Sequence, residues 1–430
     1  MLGARILPLV LFSVFAGCDV GGTSVPVDLS DDADAYISSS VYRRGILERD
    51  LTERNNRYAQ RRLTHYGLPT AAWADLPIRD PVSAPLTSAD TEVLQGDGVI
   101  RVEAGTTLSP LQPPTTPAAW IELGRRVFFE YPLRADRTHE TAAGLPGALE
   151  TGGFLVDEGA WVGLRKFIDE SGDVRIGTTC SQCHASYDET GTLTGVLSNR
   201  EMDLGALRLL TLGFEPGNLP DEVESSTVGD LARLGPGRSD LLSDGVFNPY
   251  AFPDLGGIAD LPYLHQNANW YHEGTATLAV RCETLFITAN GERSVPPKAL
   301  TWALASYLRS LPPPPPVDGP GPLSALGEQV FAAAGCGDCH TPPLFTSDRL
   351  VALDEVGTDP GAGESVVRWT GHYRIPSLRG VGRAAPYLHH GAFPTLEAMF
   401  DPERDEPGHA FGLELGLDDR TALVAYLRTL

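Results

Sequence analysis

The sequence is short of basic side chains and of long apolar runs, and both shortages limit what the protein can do. Its 430 residues include 33 lysines and arginines against 56 aspartates and glutamates, a formal net charge of −23. This excess of negative charge repels phosphate backbones, so nucleic acid is not expected as a partner. Beyond the start of the chain, no apolar segment is long enough for a transmembrane helix.

The start of the chain has a pattern typical of export. Arg5 precedes an apolar run over residues 6–16, which is too short to span a bilayer and predicts a signal peptide over residues 1–17. The segment Phe15–Cys18 resembles a bacterial lipoprotein box, so we predict lipidation of Cys18, with simple cleavage as the alternative. Aspartate after such a cysteine, here Asp19, is associated with retention at the inner membrane. We therefore expect a periplasmic protein held to the inner membrane by a lipid anchor only.

Cysteine is also scarce, and its six positions offer no obvious pair for a structural disulfide. Cys282 stands alone in an apolar stretch, where a free cysteine usually behaves as a small buried hydrophobe. The remaining four cysteines form two short motifs, Cys180-Ser181-Gln182-Cys183-His184 and Cys336-Gly337-Asp338-Cys339-His340.

Two thiols three residues apart, followed at once by a histidine, meet the requirements for covalent attachment of a c-type haem. Both thiols of a motif would bond the vinyl groups of one haem, and His184 or His340 would bind its iron as the proximal ligand. A zinc site or two local disulfides would use the same cysteine spacing, but neither needs a histidine after both pairs. The sequence therefore predicts two covalently bound c-type haems.

The order of the motifs predicts a mainly α protein with two tandem class I cytochrome c-like haem domains, long loops and an amino-terminal helical extension. Five successive prolines, Pro312–Pro316, cannot continue a helix and favour an extended spacer. Short elements before these prolines recur after them in the same order: Pro253-Asp254-Leu255 as Pro376-Ser377-Leu378, Pro262-Tyr263-Leu264-His265 as Pro386-Tyr387-Leu388-His389, and residues 305–311 as residues 424–430. Because these elements keep their order while their spacing varies, they indicate a duplicated domain with loop insertions.

The predicted divisions of the chain follow from these boundaries. They are a signal peptide (1–17), a tether (18–34), a helical and irregular extension (35–118), haem domain 1 (119–311), a proline-rich linker (312–322) and haem domain 2 (323–430). Within the extension, composition predicts one long helix from Tyr36 to His65 and an irregular segment over residues 68–118. Further helices are predicted over residues 120–131, 204–212, 297–311 and 323–334.

Together the two haem motifs, Gly124–Phe129 and Pro376–Gly391 resemble the bacterial di-haem cytochrome c peroxidases. Their relatives include the di-haem enzyme that oxidises a protein in methylamine metabolism and the haem rubber oxygenases. The resemblance covers residues 119–430 and implies that hydrogen peroxide reacts at haem 1, while haem 2 relays electrons from a small redox protein. We therefore predict an exported peroxidase-like oxidoreductase. A non-catalytic electron carrier, or a haem oxidase or oxygenase of an organic or protein substrate, is the alternative.

The resemblance also bears on the sixth ligand of haem 2. Where the peroxidases carry a methionine after a Tyr-x-His-Asp-Gly element, this chain has Glu403, and His390 replaces the aspartate. His409 resembles the position from which a distal histidine reaches the second haem in the rubber oxygenase relatives. We predict His409 as the sixth ligand, with Met399 as the alternative.

At haem 1 no histidine lies between His184 and His265, so His265 and His272 are the candidate distal ligands, and an iron without a protein ligand is the third alternative. An open or weakly ligated iron is what peroxide or oxygen chemistry needs. One tryptophan bridges the haems in the peroxidases, and the candidates here, which could equally be core residues, are Trp270, Trp302 and Trp369. Glu355 and Asp359 could bind the calcium known between domains in this family, or could cap a turn.

Overall fold

The structure is a computed structural model in which residues 31–219, 227–240, 242 and 244–430 are described. The predicted signal peptide, Cys18 and most of the predicted tether lie outside the described residues. The α-helices are α1 (Ala33–Ser38), α2 (Ser40–Asp50), α3 (Arg57–His65), α4 (Ser88–Gln95), α5 (Pro117–Glu130), α6 (Arg137–Ala143), α7 (Ala148–Thr151), α8 (Ser181–His184), α9 (Leu204–Thr211), α10 (Thr227–Leu234), α11 (Thr275–Ala289), α12 (Lys298–Ser310), α13 (Pro322–Ala333), α14 (Leu353–Val356), α15 (Gly361–Glu364), α16 (Leu396–Met399) and α17 (Leu417–Leu427). The strands are β1 (Ser83–Thr87), β2 (Val156–Asp157), β3 (Ala160–Ile168), β4 (Val174–Thr178), β5 (Ser186–Tyr187), β6 (Leu193–Thr194), β7 (Arg238–Asp240), β8 (Pro249–Ala251), β9 (Tyr263–Leu264), β10 (Trp270–Tyr271), β11 (Leu350–Ala352) and β12 (His372–Arg374).

Two pairs of crossing helices pack in the same way, one before and one after the proline run. In the first pair, a Cβ atom on Gly124 of α5 would lie 1.9 Å from the carbonyl oxygen of Ala303 in α12. In the second pair, a Cβ atom on Gly327 of α13 would lie 1.9 Å from the carbonyl oxygen of Ala422 in α17. Only glycine allows so close a backbone approach. The same close helix contact therefore occurs once before and once after the proline run.

A small antiparallel sheet stands beside the first haem motif. Its long strand β3 pairs with β1, β2 and β4, and the remaining strands form two-stranded pairs. The strand β1 corrects the prediction that residues 68–118 are irregular throughout, and helix α4 follows it directly. Pro85 within β1 argued against a strand, but proline is tolerated at the edge of a sheet. On the side away from β3, β1 has only an isolated bridge between Ser83 and Thr106.

The predicted long helix from Tyr36 to His65 is wrong, because the structure breaks this segment into α1, α2 and α3. After α2, Leu51 forms a bridge to Trp270, and the backbone N–H of Thr52 donates to the carbonyl of Asn269 at 3.1 Å. Asn56 then begins α3 by accepting a hydrogen bond from the N–H of Ala59. Tertiary contacts with a distant segment therefore interrupt a sequence whose local composition favours helix.

Buried groups attach this extension to the first half of the chain. The hydroxyls of Tyr36 and Tyr66 donate to one oxygen of the buried Glu283 on α11, at 2.7 and 2.9 Å. Lys298 on α12 pairs with the other oxygen. The carboxylate is thus fully paired, which a buried charge requires.

Candidate haem sites

Both predicted proximal histidines are oriented by the same kind of contact. The Nδ1–H of His184 donates to the carbonyl of Pro253 at 3.1 Å, and the Nδ1 of His340 lies 3.1 Å from the carbonyl of Pro376 and from that of Phe345. Pro253 and Pro376 occupy equivalent positions in the repeated Pro-x-Leu element. A metal-binding histidine usually donates its second ring N–H to such a partner, which directs the other nitrogen toward the metal.

Burial keeps these imidazoles uncharged, as metal ligation requires. Burial lowers the pKa of His184 to about 4, partly offset by its bond to Pro253, and burial also lowers the pKa of His340. Burial likewise raises the pKa of the Cys180 and Cys183 thiols to about 12. The first motif therefore presents protonated thiols and a neutral imidazole at neutral pH.

The two rival readings of the motifs receive no support. The motif cysteines and Cys282 are free thiols. Among the residues that the structure describes, no group of three or more histidine, cysteine or acidic side chains is placed to hold a metal ion. The described residues therefore do not bring the two cysteine pairs together as one metal site.

A cavity of about 300 Å³ lies beside the second motif. Cys336 and His340 line it, together with apolar side chains of the second half of the chain: Phe331, Leu388, Leu396, Phe400, Leu423 and Leu427. Residues of the first half, including Phe252 and Pro253, complete its wall. Apolar walls with a few polar groups suit a macrocycle with an apolar body.

His409 faces His340 across this cavity. The two ring centroids are 6.4 Å apart, with an angle of 51° between the ring planes. Metal–imidazole bonds of about 2 Å on opposite sides of one ion, with ~1 Å from each nitrogen to its ring centre, give about 6 Å between centroids. Burial and the neighbouring His340 lower the pKa of His409 to about 4, so this imidazole is also neutral. The spacing suits one iron held between two histidines.

The loop before His409 is fixed by close backbone contacts. Gly408 has a φ of +96°, and a Cβ atom there would lie 2.3 Å from the Cα of Thr358. The backbone N–H of His409 donates to the carbonyl of Val356 at 2.8 Å, and Arg404 donates to the carbonyls of Gly408 and His409. The Nδ1 of His409 has no partner among the described residues. Backbone contacts, rather than a ring hydrogen bond, therefore position this imidazole.

The other residues named near this ligand position are placed differently. Met399 lines the same cavity, so it remains the alternative ligand. Glu403, which stands where the peroxidases carry their methionine, is exposed. His390 pairs with Glu406 at 3.0 Å. Its Nε2 is therefore engaged with a carboxylate.

Arg374 provides a test of whether the cavity fits a haem. Its side chain lines the cavity, and its Nε and Nη1 atoms are buried without a hydrogen-bond partner in the described part of the chain. Burial lowers the pKa of this guanidinium to about 10. A buried cation needs an anionic partner, and a haem carries propionate groups. The buried positive charge of Arg374 therefore fits the propionate groups of a haem.

The candidate distal ligands of haem 1 already have other partners. The Nε2 of His265 accepts hydrogen bonds from the Nε and Nη2 of Arg281, both at 3.1 Å. His272 donates from Nδ1 to the carbonyl of Leu261 at 3.0 Å, and its Nε2 lies 3.0 Å from Arg309. His265 and His272 ligation stay predictions, but both Nε2 lone pairs are engaged.

A second group of arginines surrounds Tyr58 and His265. The guanidiniums of Arg62 and Arg368 lie 3.4 and 4.9 Å from the centre of the Tyr58 ring. Burial lowers the pKa of His265 well below its ordinary value, and Arg281, Arg368 and Arg62 lower it further. Trp270 donates from Nε1 to the Tyr58 hydroxyl at 2.7 Å. The extension thus contributes to a positively charged region beside His265.

The three candidate bridging tryptophans occupy different environments. Trp270 is fully buried, Trp302 packs against Tyr36 in the core, and Trp369 is 38% exposed. Within the described residues none of them lines the cavity.

The calcium candidates have protein partners. Glu355 pairs with Arg349, and the Asp359 carboxylate accepts from the N–H of Gly361 at 2.8 Å. This arrangement favours the capped turn, and the calcium site stays a prediction.

Sequence reasoning missed Arg374 and Phe252. Arg374 carries no distinguishing signal among the many arginines of the chain, although it stands between Tyr373 and Ile375, which are both buried. A charged residue that alternates with buried apolar ones in a strand could have been noted as a candidate ligand for an anion.

Comparisons with known proteins give matches to parts of the chain. A family model described as RoxA-like, cytochrome c-like matches residues 371–407. The methylamine utilization protein MauG of Methylorubrum extorquens is 31% identical over 174 residues, which cover 34% of this chain and 48% of that protein. The match thus spans about half the length of this curated relative.

Solved structures give weaker likenesses. A MauG-like protein associated with microbial copper homeostasis has a TM-score of 0.37 and 15% identity, over 75% of this chain and 91% of that one. The diheme peroxidase BthA from Burkholderia thailandensis has a TM-score of 0.36 and 17% identity, over 83% of this chain and 94% of that one. Since these TM-scores are low, any family assignment depends on the sequence matches.

Proposed function

We propose that this chain is a member of the di-haem cytochrome c peroxidase superfamily, and that it is an exported, peroxidase-like oxidoreductase with two covalent c-type haems in tandem cytochrome c-like domains. Cys180, Cys183 and His184 would hold haem 1. Cys336, Cys339 and His340 would hold haem 2. In this proposal hydrogen peroxide reacts at haem 1, and electrons from a small redox protein enter through haem 2.

The observation that carries the proposal is the difference between the two sites. His409 stands opposite His340 at the spacing expected for two ligands of one iron. In the first half, the candidate ligands His265 and His272 instead have their Nε2 atoms engaged with Arg281 and Arg309. A closed iron suits electron transfer, and an open one suits reaction with peroxide.

The haems, when bound, supply the redox chemistry, and the chain's residues hold and tune them. The carbonyls of Pro253 and Pro376 fix the proximal imidazoles through Nδ1. Arg374 provides positive charge inside the apolar cavity, where it would pair with a propionate. Arg281 donates to the Nε2 of His265, the nitrogen through which this imidazole would otherwise bind iron.

Paramagnetic resonance on the purified ferric protein tests the proposal. We expect one low-spin haem and one high-spin or ligand-exchangeable haem, if necessary after partial reduction, and rapid oxidation of the reduced protein by peroxide. His409→Ala should change only the low-spin signal, whereas the matched variants His265→Ala and His272→Ala should leave the low-spin signal unchanged. Two invariant low-spin signals without peroxide turnover would favour the electron-carrier alternative.

Location is part of the same proposal. The lipoprotein-like box at Cys18 supports a periplasmic protein anchored to the inner membrane by lipid. Among the described residues, no helix has the length and apolar character needed to cross a membrane.

The oxidation or oxygenation of an organic or protein substrate remains the other enzymatic candidate. The match to MauG, together with the methylamine-metabolism enzyme in this family, favours it over an electron carrier. Turnover of peroxide without a competent small redox donor would point to this alternative.

A further inference from the structure

The segment Phe252–Pro253 touches both haem sites. The ring of Phe252 lies against the ring of His184, with centroids 6.4 Å apart and an edge-on angle of 65°. Pro253 accepts the Nδ1–H of His184. Both residues also line the cavity that contains His340 and His409. Two adjacent residues thus join the proximal ligand of one site to the wall of the other.

Hydrogen bonds fix this segment against both halves of the chain. The backbone N–H of Ala251 donates to the carbonyl of His389 at 2.9 Å, and His389 lines the cavity. The carbonyl of Phe252 accepts from the side chains of Arg200 at 2.6 Å and Ser198 at 3.0 Å. The Phe252 ring is 3% exposed. The contact is therefore packed and hydrogen-bonded throughout.

We propose that electrons exchanged between the two irons pass through His184, Pro253 and Phe252. This inference depends on the proposed function, since it needs a haem at each site. One electron leaves one iron and is taken up by the other, so one iron is oxidised and one reduced, and no bond or proton moves. Contiguous bonds, hydrogen bonds and packed atoms carry electrons better than empty space does, and this segment supplies all three.

The candidate tryptophan route has less support. Trp270 is buried, but its indole N–H is bonded to Tyr58 of the extension, and its side chain does not line the cavity. Pro253 is different, because its carbonyl binds a ligand of one site while the residue itself borders the other. The contacts that join the two sites in the described structure therefore run through Pro253 and Phe252 rather than through Trp270.

The repeat shows that the aromatic ring is specific to the first half. Ile375 precedes Pro376 as Phe252 precedes Pro253. Both side chains are buried, so the packing role is met by an aliphatic residue in one half and by an aromatic ring in the other. A π-system at the inter-site position is what an electron path favours.

Phe252→Leu tests the route in the holoprotein with both haems attached. After rapid photochemical reduction by one electron per molecule, the redistribution of that electron between the irons is followed optically. We expect this rate to be lower in Phe252→Leu than in the wild-type protein. Trp270→Phe should keep the wild-type rate. Reduction potentials, measured in the same samples, show whether driving force has changed.

Phe252→Tyr keeps the aromatic ring and guards against a misfolded leucine variant, so it should retain the wild-type rate. An unchanged rate in Phe252→Leu, or an equal loss in Trp270→Phe, would overturn the route. The measurement uses no peroxide. A wild-type protein that exchanges electrons by this route but does not react with peroxide would refute the proposed function and leave the route intact.

Discussion

Gly408→Ala should displace His409 without removing its imidazole. The new Cβ would lie 2.3 Å from the Cα of Thr358, whereas ordinary contact begins at 3.4 Å, so the loop must retreat by about 1 Å (3.4 − 2.3). The φ of +96° adds backbone strain that an alanine bears and a glycine does not. A displacement of His409 by about 1 Å would break an iron–nitrogen bond, whose length is about 2 Å.

The size of the effect follows from that strain. A residue forced into such a conformation costs about 1–3 kcal/mol, which would disfavour the ligated loop position by about 5- to 150-fold. We therefore expect the low-spin signal of haem 2 in Gly408→Ala to be lost or largely replaced by a high-spin signal. Paramagnetic resonance and the visible spectrum measure this change. Added imidazole should restore the low-spin signal, because the vacated position is then open to a free ligand.

Gly416→Ala is the matched control. Gly416 has a φ of −63°, and an added Cβ would meet nothing within 4 Å. This variant should keep both haem signals. If Gly408→Ala folds with two haems and an unchanged low-spin signal, His409 is not the sixth ligand. Loss of that signal in Met399→Leu would then assign the role to Met399.

Three further predictions concern attachment, location and stability. Cys183→Ala and Cys339→Ala should each lose one haem. The measurement is the covalent haem left on the protein after acid extraction with organic solvent. A wild-type protein with about one haem per chain would show that one of the two motifs does not attach haem. Cys18→Ala should release the protein from the membrane fraction. If the unaltered protein and the variant are both soluble in the periplasm, lipidation is refuted. Glu283→Gln should lower the free energy of unfolding by about 3–5 kcal/mol in denaturant titrations, because it leaves Lys298 without its charged partner. Burial opposes ionisation of Glu283, but Lys298 holds the pKa of its carboxyl below the ordinary value. The stability that the ionised carboxylate contributes is therefore present at neutral pH and is lost as the pH falls through that lowered pKa. A Glu283→Gln variant with unchanged stability at neutral pH would contradict this.

Local chemistry made the haem motifs and several helices predictable. The helix predicted over residues 120–131 is α5, Pro117–Glu130, which begins three residues earlier than predicted, after the N-cap Thr116 and with proline at its first position. The helix predicted over residues 297–311 is α12, Lys298–Ser310. In each case the apolar spacing lies within the segment itself, so no distant contact was needed.

Features that depend on distant contacts were not predictable. The break after α2 exists because Leu51 pairs with Trp270, far along the chain. The strand β1 exists because β3 offers it an edge, despite Pro85. Arg374 differs from the other arginines that line the cavity, Arg200 and Arg379, in having two buried nitrogen atoms without a hydrogen-bond partner among the described residues. Such residues acquire their roles from the assembled fold, which composition and periodicity do not encode.

The repeat explains why the two sites share their proximal geometry and differ elsewhere. Pro253 and Pro376 are equivalent, and each orients the histidine of its own motif. The distal sides have no such equivalence, because Gly408 and His409 lie in a loop of the second half, whereas Arg281 engages His265 in the first. If each half holds a haem as proposed, the two halves share the contact that orients the proximal histidine and differ in the contacts that would close or open the sixth position, which is the difference that would separate relay from reaction.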